Sequence, residues 1–259
     1  MVRAIAILSG KGGVGKTTLA INLGVALSRY GRHVIVLDAN PHGPHIAASL
    51  GEHKPERVLD EALSGKRHAT EVVHLHPSGL KVVPASPRHD AGVMGLDKLG
   101  MVVEELKQRT ELVLIDAAPG LEAHARAAMQ VADDILLVVT ADLLSTADAL
   151  RTIKMAQDRG KGVYGIVVNR YHGDDADLDV ASIQTLTGSQ VLVVIPEDAH
   201  VRKALRQRQP LLAAYSDSKA SKAILRLATL MSGTLPQDPT RAPEGKQEVV
   251  GRVFKVFGR

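Results

Sequence analysis

The chain has 259 residues, 45% of them apolar, which is enough for one well-buried α/β core with a tail left over. Cysteine is absent, excluding disulfides, thiolate catalysis, cysteine-ligated zinc and iron–sulfur clusters, while the net charge of +4 suits any polyanion without choosing among nucleotide, nucleic acid and anionic lipid. No apolar run approaches the roughly 20 residues of a membrane-spanning helix, and the short apolar opening that runs into a glycine loop reads as a first strand rather than a signal peptide.

Runs rich in Val, Ile and Leu mark strands, in chain order, at 3–8, 33–37, 81–84, 112–115, 135–140, 163–168 and 191–195, each with the continuous apolar character of a strand buried on both faces. Segments of 3.6-residue periodicity lie between most of them, for example at 18–30, 101–109, 145–159 and 216–231. The alternation predicts right-handed βαβ crossovers and a mainly parallel, twisted α/β sheet with helices on both faces. Ligands of such sheets sit beyond the carboxyl ends of the strands. Residues 1–233 read as one domain. Past Gly233 the composition turns polar and proline-rich, so 234–248 reads as a flexible linker.

The first strand and first helix enclose Gly10-Lys11-Gly12-Gly13-Val14-Gly15-Lys16-Thr17, which satisfies the G-x-x-x-x-G-K-[ST] pattern in its proper setting. Glycines let backbone N–H groups converge on phosphate oxygens, and the helix N-terminus adds a favourable dipole. Lys16 would place its charge on the β and γ phosphates, and the Thr17 hydroxyl would ligate Mg²⁺. Asp38 and Asp116 each end an apolar strand, where a carboxylate can hold Mg²⁺ through water; Gly120 follows Asp116 closely enough to approach a γ-phosphate. His74 and His76 share one face of a possible strand without convincing ligand spacing around them, and Arg202, Lys203, Arg206 and Arg208 form a basic helical stretch that reads as a solvated face.

With its second lysine, Lys11 to Thr18 resembles the deviant Walker A motif of the MinD/ParA family of P-loop ATPases. The resemblance runs to about residue 233, through Val36 to Ala39, Leu114 to Gly120, Val167 to Arg170 and Ile195 to Asp198. It implies ATP and Mg²⁺ as cofactors, a phosphate loop that includes Thr18, and an ATP-dependent homodimer in which Lys11 reaches the partner's phosphates. It places Asp38 in switch I as a metal and water-positioning residue, and Asp116 in switch II. Asn169 is similar to the residue that meets the adenine edge, with Pro196 to Asp198 as the opposite wall. The catalytic set is then Lys11, Lys16, Asp38 and position 40. Here this chain departs from the family: Asn40 stands where most members have an aspartate, and His45 where many have asparagine. An amide can orient water but cannot take its proton, so hydrolysis is expected to be slow, and Asn40→Asp is expected to raise the single-turnover rate.

Both phenylalanines of the chain, Phe254 and Phe257, fall in its last six residues. On a helix over 249–259, Val250, Val253, Phe254 and Phe257 share an apolar arc with Val249 and Val256, opposite Arg252 and Lys255, the pattern of an interfacial membrane anchor. The MinD branch resembles this arrangement. The expected protein is thus a MinD-like ATPase, cytoplasmic and peripheral on the membrane, that positions unidentified regulatory or cargo proteins. A ParA-like DNA-partitioning ATPase is the alternative, favoured by the high pI but opposed by the tail. A flagellar-number regulator of the same family ranks lower, since no extension precedes the first strand.

Overall fold

The computed structural model describes residues 3–40, 43–52, 55–86 and 96–233. The linker expected over 234–248 and the amphipathic helix over 249–259, with Val250, Arg252, Val253, Phe254, Lys255 and Phe257, lie outside the described residues. In chain order the elements are β1 (Arg3–Leu8), α1 (Lys16–Arg29), β2 (Val34–Ala39), α2 (Ile46–Ser49), α3 (Leu59–Leu63), β3 (His74–Leu75) and β4 (Lys81–Val83). There follow α4 (Leu99–Lys107), β5 (Leu112–Ala117), α5 (Ala123–Val131), β6 (Asp134–Val139), α6 (Leu143–Gln157), β7 (Gly162–Tyr171) and α7 (Val180–Thr187). The domain then closes with β8 (Val191–Pro196), α8 (Ala199–Arg206), α9 (Leu211–Ala214) and α10 (Lys219–Ser232).

Eight strands form one sheet in the order β3-β4-β2-β5-β1-β6-β7-β8, parallel throughout except where β3 runs against β4. All seven expected strands are present, and β3 is an added edge. His74 in β3 and His76 just after it are both engaged: His74 Nε2 lies 2.7 Å from the Arg57 C=O and His76 Nδ1 lies 2.8 Å from the Ser78 hydroxyl.

Alternation along β1 explains the two cores. Ala4, Ala6 and Leu8 join Val103, Leu106, Met129 and Ile153 on one face, while Ile5 and Ile7 join Leu19, Leu23, Leu27, Ile224 and Leu227 on the other. Each buried Leu or Ile removes enough apolar surface from water to contribute about 1.5–3 kcal/mol. Helix α1 lies close on the sheet at Gly24, where a Cβ would sit 2.7 Å from both Leu80 Cδ1 and Val36 Cγ2. This contact pins the helix whose N-terminus carries the phosphate loop. The parallel register sets Asp38 of β2 beside Asp116 of β5, at the carboxyl edge that the glycine loop also borders.

Candidate nucleotide-binding site

Three glycines shape the loop. Gly13 (φ +78°) and Gly15 (φ +96°) adopt left-handed backbone that only glycine takes at little cost, and Gly10 lies so close to α6 that a Cβ would fall 2.0 Å from Asp148 Cβ. The loop therefore turns tightly into α1, with the Gly15 C=O accepting the first helical bond from Leu19 N–H. Thr18 lies in the first turn, its C=O accepting from the Asn22 side chain.

Lys16 turns inward: its Nζ donates to the Ser9 hydroxyl (2.9 Å), which in turn donates to the Lys11 C=O (2.6 Å). Burial lowers the Lys16 pKa, against the attraction of Asp116. Ser9 was not among the residues expected from sequence. It borders the motif without belonging to it, and only the fold shows that it orients the lysine. The Gly120 N–H donates to the Ser9 C=O (3.0 Å), tying the loop after β5 to the same point.

Asp38 and Asp116 are both fully buried. Burial raises the Asp38 pKa well above the usual carboxylate range, and the neighbouring Asp116 charge adds to this, opposed by the amides of Ile46, Asn40 and His45. Asp116 is pushed up to about 6, chiefly by burial, against the Thr17 hydroxyl and the Lys16 charge. The two differ in what they leave free. Asp38 accepts from Asn40 N–H (3.1 Å) and Ile46 N–H (3.2 Å), so its carboxylate anchors the loop after β2. Asp116 Oδ1 is buried with no hydrogen-bond partner. An unpartnered carboxylate oxygen beside the Thr17 hydroxyl and a second buried carboxylate suits a hard divalent cation, so these residues fit Mg²⁺.

Lys11 does the opposite of Lys16. Its Nζ reaches away from the loop to Asp142, 2.9 and 3.1 Å from the two carboxylate oxygens. Burial raises the Asp142 pKa, but Thr140, Lys11 and the Ser145 amide together bring it below its ordinary value. Asp142 also caps α6 through Ser145 N–H (2.8 Å).

The residues expected to meet the base divide. Asn169 lies on the phosphate loop, its Nδ2 donating to the Val14 C=O (2.7 Å), which leaves its oxygen as an acceptor for an exocyclic amine. Pro196 ends β8 in register with Tyr171. The Asp198 carboxylate accepts from His200 N–H (2.9 Å) and Ala220 N–H (3.1 Å) and meets the His200 ring at 2.8 Å. Burial opposes its ionisation, yet these partners and Ser218 draw its pKa down to about 2. Its side chain clamps α8 to α10, so the 196–198 segment would meet a base through its backbone.

A strand, a glycine loop with an inward lysine at a helix N-terminus, and two buried carboxylates across a parallel sheet define a P-loop nucleotide-binding protein. The chain belongs to the CobQ/CobB/MinD/ParA nucleotide-binding family, whose model matches residues 5–211. It is 33% identical to an uncharacterised ATP-binding protein of Methanocaldococcus jannaschii over all of this chain and 98% of that one. It is 30% identical to the antiactivator FleN of Pseudomonas aeruginosa over 92% of this chain and 89% of that one. The septum site-determining protein MinD of Pyrococcus horikoshii, solved with Mg-ADP, superposes with a TM-score of 0.84 at 27% identity, covering 89% of this chain and 96% of that one.

Proposed function

We propose that this chain is a MinD-like ATPase that dimerises with ATP, attaches to the cytoplasmic face of an anionic membrane, and positions partner proteins in division-site selection or a related spatial task. The observation that carries this reading is the opposite orientation of the two loop lysines. Lys16 is buried against Ser9, where it serves the nucleotide of its own loop, whereas Lys11 is part-exposed on Asp142, able to exchange that carboxylate for the phosphates of a second copy. Thr17 and Asp116 would hold Mg²⁺, which neutralises charge on the phosphate oxygens during transfer. Lys16 would bind and orient the β and γ phosphates, Asn169 would select adenine, and Asp38 would hold the loop after β2 in place.

Sedimentation velocity with ATP and with ADP tests the reading. Wild type should dimerise with ATP alone, Lys11→Ala should bind ATP but remain monomeric, and Lys16→Ala should lose ATP binding. Equal ATP-dependent mass for wild type and Lys11→Ala would refute the assignment of Lys11. The second reading, a DNA-binding partitioning ATPase, draws support from Arg202, Lys203 and Arg206 on α8 and Lys219, Lys222 and Arg226 on α10. These cations are exposed and carry no ion pair among the described residues. Co-sedimentation with anionic liposomes and with DNA, each in ATP and in ADP, separates the two.

A further inference from the structure

Near its end, β7 carries one residue too many for its neighbour. Val168 pairs with Val194 of β8 and Tyr171 with Pro196, so three steps along β7 match two along β8. The side chains record the same slip. Val167 packs under α1 with Leu19 and Leu23, and Val168 packs on the opposite face with Ile153. Unbroken alternation would return Tyr171 to the α1 face, yet it packs on the face of Val168. The bend falls at Arg170, whose backbone is left-handed (φ +58°), a conformation unfavourable for any residue with a Cβ. Where β7 slips earlier, against β6, it uses a glycine, Gly165 (φ +153°). At 170 a long side chain stands instead, and it is engaged. Arg170 Nε donates to Glu197 Oε2 (3.1 Å), and the Glu197 N–H donates to the Tyr171 C=O (2.9 Å).

Bulges beside binding sites re-aim the side chains next to them. The residue before Arg170 is Asn169, whose Nδ2 donates to the Val14 C=O (2.7 Å) and sits so close that a Cβ on Gly15 would lie 2.3 Å from it. The residue after Glu197 is Asp198, already fixed to α8 and α10. We propose that Arg170 is a positioning residue for the nucleotide base: its left-handed bulge holds Asn169 against the phosphate loop, and its bridge to Glu197 sets the spacing between Asn169 and the 196–198 segment. The inference rests on the ATPase reading above, in which Asn169 selects adenine. Arg170 acts through Asn169 and Glu197 rather than by touching the base.

The test is equilibrium binding of Mg-ATP and Mg-ITP to the full chain by titration calorimetry. Inosine carries a carbonyl where adenine carries its exocyclic amine, so an acceptor on Asn169 should favour ATP by about tenfold. Arg170→Gln and Glu197→Gln should each reduce that preference about two- to fivefold, the range of a part-exposed ion pair. Arg170→Glu combined with Glu197→Arg should restore it. Arg170→Gly keeps the left-handed backbone and loses only the bridge, so it should match Arg170→Gln. Arg170→Val, a branched residue that resists a positive φ, should bring the two affinities within about twofold of each other. A merely structural role would weaken both nucleotides alike and leave their ratio unchanged. Wild type that prefers ATP, with the same preference in Arg170→Gln and Glu197→Gln, overturns this inference alone, as does a charge exchange that restores nothing. Wild type that binds ATP and ITP equally overturns adenine selection by Asn169 and the inference with it; wild type that binds neither overturns the function on which both rest.

Discussion

Lys16 is legible in the sequence because its role is local: six positions of loop fix where it stands. What orients it is less legible, since Ser9 lies just outside the pattern, and the partner of Lys11 lies 131 residues away and carries no motif. Asp116 offers a test at this scale. A carboxyl held near pH 6 in the folded chain and near its ordinary 3.8 when unfolded binds more protons folded than unfolded, so it lowers stability as pH rises through that window. The full effect, present above about pH 6, is on the order of 3 kcal/mol and is shared with Asp38. Asp116→Asn should therefore stabilise the nucleotide-free protein at pH 7.5 and much less at pH 4.5, read by denaturant melts at both values. Equal stabilisation at the two pH values would mean that removal of ionisation is not the cause. The same substitution should weaken the response to Mg²⁺, because the oxygen offered to the cation becomes a neutral amide.

At the scale of elements, the strands were legible because continuous Val, Ile and Leu runs need burial on both faces, and only a parallel sheet between helix layers supplies it. β2 and β5 run two residues past their expected ends because Asp38 and Asp116 stay in the ladder despite their charge. Helix α5 was not singled out. Its buried face in Ala123–Val131 consists of His124, Ala125, Ala128 and Met129, small or polar residues apart from the methionine, so it lacks the Leu and Ile pattern that marks the other helices. Helix α6 was seen, but its cap was not connected to Lys11, because Asp142 precedes the periodic stretch. Losing that cap in Asp142→Ala should cost about 1 kcal/mol, and the ion pair with part-exposed Lys11 adds at most a similar amount. For a domain of this size the cap alone corresponds to a fall in Tm of roughly 2–4 °C. Asp142→Ser can still cap α6 but offers Lys11 no charge, so calorimetry should show it regaining most of the loss. If Asp142→Ser melts as low as Asp142→Ala, the ion pair rather than the cap holds the element.

For the whole molecule the proposed function requires a nucleotide state to become a membrane state, and support for that comes from the sequence alone, since 234–259 lie outside the described residues. Six apolar side chains over a basic face would enter the headgroup boundary, with each nearby Lys or Arg adding about 1 kcal/mol on anionic lipid. One such segment would bind weakly and reversibly. A polar stretch of the length of 234–248 reaches about 20 Å as a random coil, so in a dimer the second insertion follows the first at high effective concentration. ATP would then raise apparent affinity by about 10²–10⁴ without any new contact. The cations of α8 and α10 offer a competing route to the same lipid, and the two routes respond differently to salt. Adhesion through Arg202, Lys203, Arg206, Lys219, Lys222 and Arg226 alone would fade as the screening length falls from about 10 Å at 0.1 M to about 3 Å at 1 M, whereas apolar insertion would persist. Replacing Phe254 and Phe257 with Asp should release the protein from anionic liposomes in ATP while leaving ATP binding and sedimentation unchanged. Charge reversal at Arg202, Lys203 and Arg206 should lower binding only at low salt. Liposome pelleting that survives the double Phe change but fails after the charge reversal would place the contact on the folded domain, and DNA co-sedimentation lost in the same charge-reversed protein would then favour the nucleic-acid reading.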